Sequence, residues 1–234
     1  MPPNLTIAFS GALAPALRDL FPRYEQQTGA SLALVRGPSI GASPEALPNR
    51  LSRGEPIDVL IMAGDALADL AAQGLVLDRI DLATVGIALA VRAGTPVPDI
   101  STTEALRQTL LAAPSIGTSV SASGVYVRDT LMARLGIVDE TRDVIRVITG
   151  EPVGRAVARG DIALGFQQFS ELLPIDGITI AGPLPPDVQQ HTVFSAGLAA
   201  ASPHQTAARA FLAFLRTPDA AAVIAASGMT PIGA

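Results

Sequence analysis

The chain has 234 residues, is 49% apolar and 4% aromatic, and carries a net charge of −5 with only 16% charged residues. It has no cysteine, and every basic residue is arginine. This excludes thiol nucleophiles, disulfides, cysteine-held metals and lysine Schiff bases. The arginines are scattered, so no basic stripe offers itself to nucleic acid.

In chain order, Asn4–Phe9 reads as a short apolar strand. Ala14–Thr28 follows with Leu17, Leu20, Phe21 and Tyr24 at helical spacing, and Gly29 ends it. A second strand is expected over Ser31–Val35, a proline-led helix over Pro44–Arg53, a buried strand over Asp58–Met62 and a helix over Ala66–Ala72. This β-α-β-α-β-α order implies a parallel sheet.

Val85–Val91 is a long apolar run, and Ser101-Thr102-Thr103-Glu104 has the form of a capping box ahead of a helix over Ala105–Leu111. Ser115–Thr118 is read as a strand and Val125–Leu135 as a helix. Val144–Thr149 is a strand, Glu151–Arg159 a helix, Ile162–Phe166 a strand, Gln167–Leu173 a short helix and Ile178–Ile180 a strand. His191–Ala199 is a second long strand, and helices over Pro203–Leu215 and Thr217–Ala226 close the chain.

Two α/β lobes are therefore expected: residues 1–84 plus 199–234, and residues 85–198. Each is a mostly parallel sheet flanked by helices, and two extended crossings join them, near 84–88 and 191–198.

Small polar residues gather where strands hand over to helices. The stretches are Phe9-Ser10-Gly11-Ala12, Gly37-Pro38-Ser39-Ile40-Gly41-Ala42-Ser43-Pro44 and Ser119-Val120-Ser121-Ala122-Ser123-Gly124. Such junctions aim main-chain N–H groups and hydroxyls at one spot, which favours an anion. Ser10, Gly11, Ala12, Ser39, Gly41, Ser43, Ser121, Ser123 and Gly124 are the candidate ligand-binding residues there. Helix capping is the competing explanation for the serines. Arg36 stands where its guanidinium could clamp a carboxylate. Tyr126 lies in the first turn after the serine loop, and its hydroxyl faces either a cleft or the core. Gln167 follows a buried strand, where binding residues of open sheets collect. The histidines, His191 and His204, lack ligand spacing, so no metal or cofactor is expected.

The order of elements is similar to the molybdate-binding-like extracellular solute-binding proteins. The resemblance rests on Ile7-Ala8-Phe9-Ser10-Gly11, Gly54-Glu55-Pro56-Ile57-Asp58-Val59-Leu60-Ile61, Ser123-Gly124-Val125-Tyr126 and Ala163-Leu164-Gly165-Phe166. It implies a two-lobed type II periplasmic-binding-protein-like fold that holds a small anion in a cleft between lobes and serves an ABC permease as a monomer. In that family a serine opens the first helix where Ala12 stands, and a tyrosine stands where this chain has Gly165-Phe166-Gln167-Gln168. The motifs Gly37-Pro38-Ser39-Ile40-Gly41 and Gly165-Phe166-Gln167-Gln168 look more like a divergent branch that also resembles bacterial aconitate isomerase, an enzyme on the same scaffold.

Two functions follow. One is a binder of an oxyanion or a di- or tricarboxylate. The other is a cofactor-free isomerase that shifts an allylic proton on a tricarboxylate, with Arg36 and Arg155 as clamps and Glu151, Glu171, Tyr126 or a histidine as base. The start Met1-Pro2-Pro3-Asn4 lacks a basic leader and a long apolar run, so the chain as written reads as cytoplasmic, and as periplasmic if a leader has been removed. No stretch is long and apolar enough for a membrane span.

Overall fold

A computed structural model describes residues 4–233. Met1-Pro2-Pro3, the stretch read for a leader, lies outside them. The chain runs β1 (Asn4–Phe9), a 3-10 turn (Gly11–Leu13), α1 (Ala14–Thr28), β2 (Ser31–Arg36), α2 (Leu47–Ser52), β3 (Val59–Ala63), α3 (Gly64–Ala72) and β4 (Val76–Arg92). It continues through α4 (Thr103–Leu111), β5 (Ile116–Ser119), α5 (Ala122–Val125), a π-helical segment (Tyr126–Leu131), α6 (Met132–Leu135), α7 (Val138–Thr141), β6 (Ile145–Ile148) and α8 (Val153–Arg159). The remainder is β7 (Leu164–Gln168), α9 (Phe169–Leu172), β8 (Ile178–Pro183), a 3-10 turn (Pro186–Val188), β9 (His191–Ala199), α10 (Gln205–Leu215), α11 (Pro218–Ala226) and β10 (Thr230–Pro231).

The chain forms two compact units. One runs to Val85 and resumes at Thr192; the other is Gly86–His191. The chain passes between them along β4 and again at the start of β9.

In the first unit, β2 and β3 both pair with β1 in parallel. β9 joins β3 antiparallel, with Val59 opposite Leu198, and β10 joins β4 antiparallel. All five residues of β3 are buried, which suits a central strand covered on both faces. On one face, Leu60 and Met62 pack with Leu47, Leu67, Leu70 and Val76; each such side chain contributes about 2 kcal/mol through lost apolar surface. Much of the chain's aromatic content gathers around α1 and α10. Tyr24 meets Phe211 edge-on at 4.9 Å, and Phe9 meets Phe21 at 5.5 Å. Burial there raises the Tyr24 pKa.

The Gly-x-Pro-x-Asp motif is structural. Asp58 is buried just before β3. Its carboxylate accepts from Thr6 N at 2.7 Å and Ser202 Oγ at 2.5 Å, with His204 Nδ1 at 3.2 Å. Its own N–H donates to Thr6 O, and its carbonyl accepts from Ala199 N. The residue thus fastens β1, β3 and the entry to α10 at the edge where the parallel strands begin.

In the second unit, β6 and β7 flank β5 in parallel, and β7 and β8 pair with β4 antiparallel. Ile87, Leu89, Leu106, Leu110, Ile116 and Phe166 are among the residues of its main core.

Several elements differ from the sequence reading. β4 begins nine residues earlier than expected, because Asp78, Arg79 and Asp81 lie on its exposed part and hide the strand. Asp81 receives Ser195 Oγ at 2.6 Å and Arg79 Nη2 at 2.8 Å, and Asp78 receives Arg209 Nε at 2.7 Å. α2 starts at Leu47 rather than Pro44, after a turn in which Ala46 N donates to Ser43 O. The cap of α4 is Thr102, whose Oγ1 accepts from Ala105 N at 3.1 Å, while Glu104 bonds Gln108 instead of closing a box. β7 extends through Gln168, so Gln167 is strand and not helix. Among the described residues no helix is long and apolar enough to cross a membrane.

Candidate functional site

In the first unit, β1, β2 and β3 are parallel, so their C-terminal ends finish on one edge, the edge where open α/β sheets bind ligands. Main-chain bonds lace the three junctions together. Ser10 N donates to Ile61 O at 2.9 Å, Gly37 N to Phe9 O at 3.1 Å and Leu47 N to Pro38 O at 2.9 Å. Gly37 permits this closeness, since a Cβ there would lie 2.1 Å from Glu45 O.

Ser10 is not a capping residue. It holds the position before the 3-10 turn that opens α1, yet its side chain makes no capping bond. Its Oγ is buried and has no hydrogen-bond partner among the described residues. Unpartnered buried hydroxyls are rare and costly. Ser39 is buried as well, and its Oγ accepts from Ala63 N at 2.9 Å. That bond uses a lone pair and leaves the hydroxyl proton for another acceptor. The start of this edge therefore holds two serine hydroxyls and the first turns of α1 and α3, with Ala12 buried and Gly11 half-buried beside Ser10.

The rest of the second loop is less engaged with this edge. Ser43 is exposed, and its Oγ accepts from Glu45 N at 3.1 Å. Gly41 is exposed with φ +111, and Asn49 Nδ2 donates to the carbonyls of Gly41 and Ser43. Arg36 is exposed at the end of β2.

In the second unit, the loop after β5 forms a ladder of hydroxyls. Ser119 Oγ lies 2.7 Å from Ser121 Oγ, which lies 3.2 Å from Ser123 Oγ. Ser121 precedes α5 but again makes no side-chain capping bond. Gly124 sits directly over the strand end, where a Cβ would be 1.9 Å from Ser119 O. α5, the π-helical segment and α6 run continuously from Ala122 to Leu135, and π turns often mark functional sites. Ser119 and Arg128 escaped the sequence reading. Arg128 Nη1 donates to Ser119 O at 2.6 Å and to Thr118 Oγ1 at 3.1 Å, fixing the strand end. The alternation Ser119-x-Ser121-x-Ser123 was the signal for the first; the second lies about one helical turn past Gly124.

Gln167 is buried on β7, and its Oε1 accepts from Val153 N at 2.9 Å, which satisfies the first turn of α8. Its amide NH2 makes no bond among the described residues. The Tyr126 hydroxyl takes the inward of its two expected directions: it donates to Val188 O at 2.7 Å and accepts from Arg134 Nη1 at 3.4 Å.

The sequence reading put Glu151 and Arg155 in one helix, Glu151–Arg159. α8 starts only at Val153, after Pro152, so Glu151 is outside the helical register. Arg159 grips it instead, through contacts of 2.6 and 2.8 Å, and that guanidinium holds the Glu151 carboxyl below its ordinary pKa. Arg155 is exposed, Glu171 is half-buried on α9 and His191 is exposed.

The sequence profile of the bacterial extracellular solute-binding protein family matches residues 5–230. An aconitate isomerase from a Pseudomonas species is 45% identical over 233 residues, which cover 99% of this chain and 89% of that protein. Among solved structures, the periplasmic molybdate-binding protein of Azotobacter vinelandii superposes with a TM-score of 0.75 at 20% identity, covering 97% of this chain and 98% of that one. The sulfate-binding protein SubI of Mycobacterium tuberculosis superposes with a TM-score of 0.76 at 18% identity, over 98% and 87% of the two chains. These two likenesses give the fold: two-lobed α/β, of the type II periplasmic-binding kind.

Proposed function

Because the chain belongs to the bacterial extracellular solute-binding protein family, we propose that it binds one small anion, an oxyanion or a di- or tricarboxylate. Each unit carries its own candidate donors at its strand ends: Ser10, Ser39 and the adjoining main chain in the first, Ser121, Ser123 and the Gln167 amide in the second. The observation that carries this reading is the Ser10 hydroxyl, buried at a helix start with no hydrogen-bond partner among the described residues. An anion supplies the missing acceptor, and the positive ends of helices favour its charge. Uncharged donors also suit a cargo that must be released, since each hydrogen bond is weaker than an arginine fork.

In the transport setting the protein is a periplasmic monomer that delivers its anion to an ABC permease. Calorimetry against molybdate, tungstate, sulfate, citrate and both aconitates tests the reading. It predicts one-to-one binding of one of these anion classes. Flat traces for every anion would remove it.

A second reading is favoured by the 45% identity to an aconitate isomerase over nearly the whole chain. In it, a base takes a proton from one allylic carbon of the bound tricarboxylate. The double bond moves, and the proton returns at the other end, with no net change in atoms. Arg159 lowers the Glu151 pKa, which makes its carboxylate a weaker proton acceptor, and the Tyr126 hydroxyl already donates to Val188 O, so both serve poorly as the base. Glu171 and His191 are the candidates to substitute first. A proton NMR time course in deuterated water decides: interconversion of cis- and trans-aconitate with deuterium uptake supports the enzyme, and unchanged spectra at high protein concentration exclude it.

A further inference from the structure

The second unit holds a cavity that the anion site leaves unused. It measures about 540 Å3 and opens between the end of β4, the end of α4 and the segment from Gly160 to Leu164. Ala113 and Pro114 lead into β5, and Ile162 and Ala163 lead into β7. The cavity therefore lies where the parallel strands of this unit begin, whereas Ser119 and Gln168 mark where they end.

Its walls are largely apolar, with Val91, Pro96, Pro98, Ile162 and Leu164 prominent. The hydroxyls in the lining are engaged: Thr95 Oγ1 donates to Arg92 O at 2.7 Å and Thr109 Oγ1 to Asp99 O at 3.0 Å. Arg92 is the single ionised lining residue, and its guanidinium makes no hydrogen bond or ion pair among the described residues. The carboxylates adjacent in sequence to the lining are engaged elsewhere: Asp161 accepts from Arg159 Nε at 3.0 Å and Asp99 from Ser101 N at 2.8 Å. Gly160, at φ +85, lets the guanidinium rest against the main chain, since a Cβ there would lie 3.2 Å from Arg92 Nη1.

We propose that this groove binds a small amphipathic monocarboxylate, an aryl or branched alkyl acid. Its apolar body lies against the proline, Ile162 and Leu164 walls, and its carboxylate meets the Arg92 guanidinium. The volume suits one small molecule, for which mostly apolar walls and few polar anchors are typical. One guanidinium matches one carboxylate through paired N–H donors. A polyanion would find a single countercharge here, and a neutral apolar compound would leave that charge unanswered.

Phenylacetate and phenylacetamide are the probes, applied to the full chain by calorimetry and by main-chain amide NMR shifts. Phenylacetate is expected to bind with a dissociation constant of about 1 mM or tighter, and the neutral amide at least ~10-fold more weakly. Arg92→Gln, at an exposed position, is expected to lose about 10-fold for phenylacetate. Ala112→Phe, at the exposed end of α4, fills the groove from a second direction and weakens phenylacetate in the same way. The shifts are expected at Gly160 and Ala163. Absence of phenylacetate binding, equal affinity for acid and amide, full affinity in Arg92→Gln, or shifts centred on Ser121 and Gly124 would each overturn the proposal. Failure of the junction serines to bind any anion leaves this test unaffected, because it reads a different edge of the sheet.

Discussion

The Ser39 side chain accepts a hydrogen bond from the main-chain N–H of Ala63 at 2.9 Å, across 24 residues of sequence. The loop after β2 is thereby tied to the first turn of α3. Ser39→Ala leaves that N–H buried without its partner. The expected cost is about 1–3 kcal/mol, read from denaturant unfolding, together with weaker anion binding.

Ser10→Ala separates function from packing. The hydroxyl has no partner among the described residues, so its removal breaks no internal bond. Stability is expected to hold, or to rise by up to about 1 kcal/mol, while anion affinity falls about 10-fold, the worth of one hydrogen bond to a charged ligand. A drop in stability with affinity intact would make Ser10 a packing residue.

Gly124→Ala places a methyl group against Ser119 O, where 1.9 Å is available. The strand end and the start of α5 must separate. A loss of about 3 kcal/mol or more is expected, and thermal unfolding checks it.

Acid should weaken the protein through particular pairs. Arg50 and Arg53 lower the pKa of Glu55, and Arg159 lowers that of Glu151, both from an ordinary 4.5. A carboxyl with a depressed folded pKa adds stability above its unfolded pKa, and that contribution disappears as pH falls through the folded value. Both carboxyls lie half-buried at the surface and partly screened by water, so each effect is small. The thermal midpoint of Arg159→Gln should lie below that of the parent at neutral pH, and the gap should close on acidification below 4.5. A gap that stays constant with pH would assign the role of Arg159 to packing.

Asp58→Ala tests the other edge of the first sheet. It strips partners from Thr6 N, Ser202 Oγ and the His204 ring. About 3 kcal/mol of destabilisation is expected, in the range of a broken buried charge network, measured by denaturant unfolding.

Much of the fold was legible because periodicity and junction chemistry agree. β3 is an unbroken apolar run, and α1 has a helical stripe closed by Gly29. The serine junctions were legible as places, but their bonding was not. Side-chain caps and free hydroxyls share one sequence pattern, and only coordinates show that Ser10 and Ser121 make no cap. The first half of β4 stayed hidden because its charges pair with Ser195 and Arg209 far along the chain. Tyr126 and Glu151 looked available because their partners, Val188 and Arg159, depend on tertiary packing and on where α8 begins. The Gly-x-Pro-x-Asp motif signalled the family clearly while serving the fold through Asp58 rather than the ligand.

Titration calorimetry of the parent chain, Ser10→Ala and Ser123→Ala against the same anion panel bears most directly on the central claim, that the junction serines hold a small anion. One anion class should bind one-to-one to the parent, and each variant should lose about 10-fold in affinity with its melting temperature unchanged. Binding that both variants retain in full, or no heat from any anion with the parent, would contradict it.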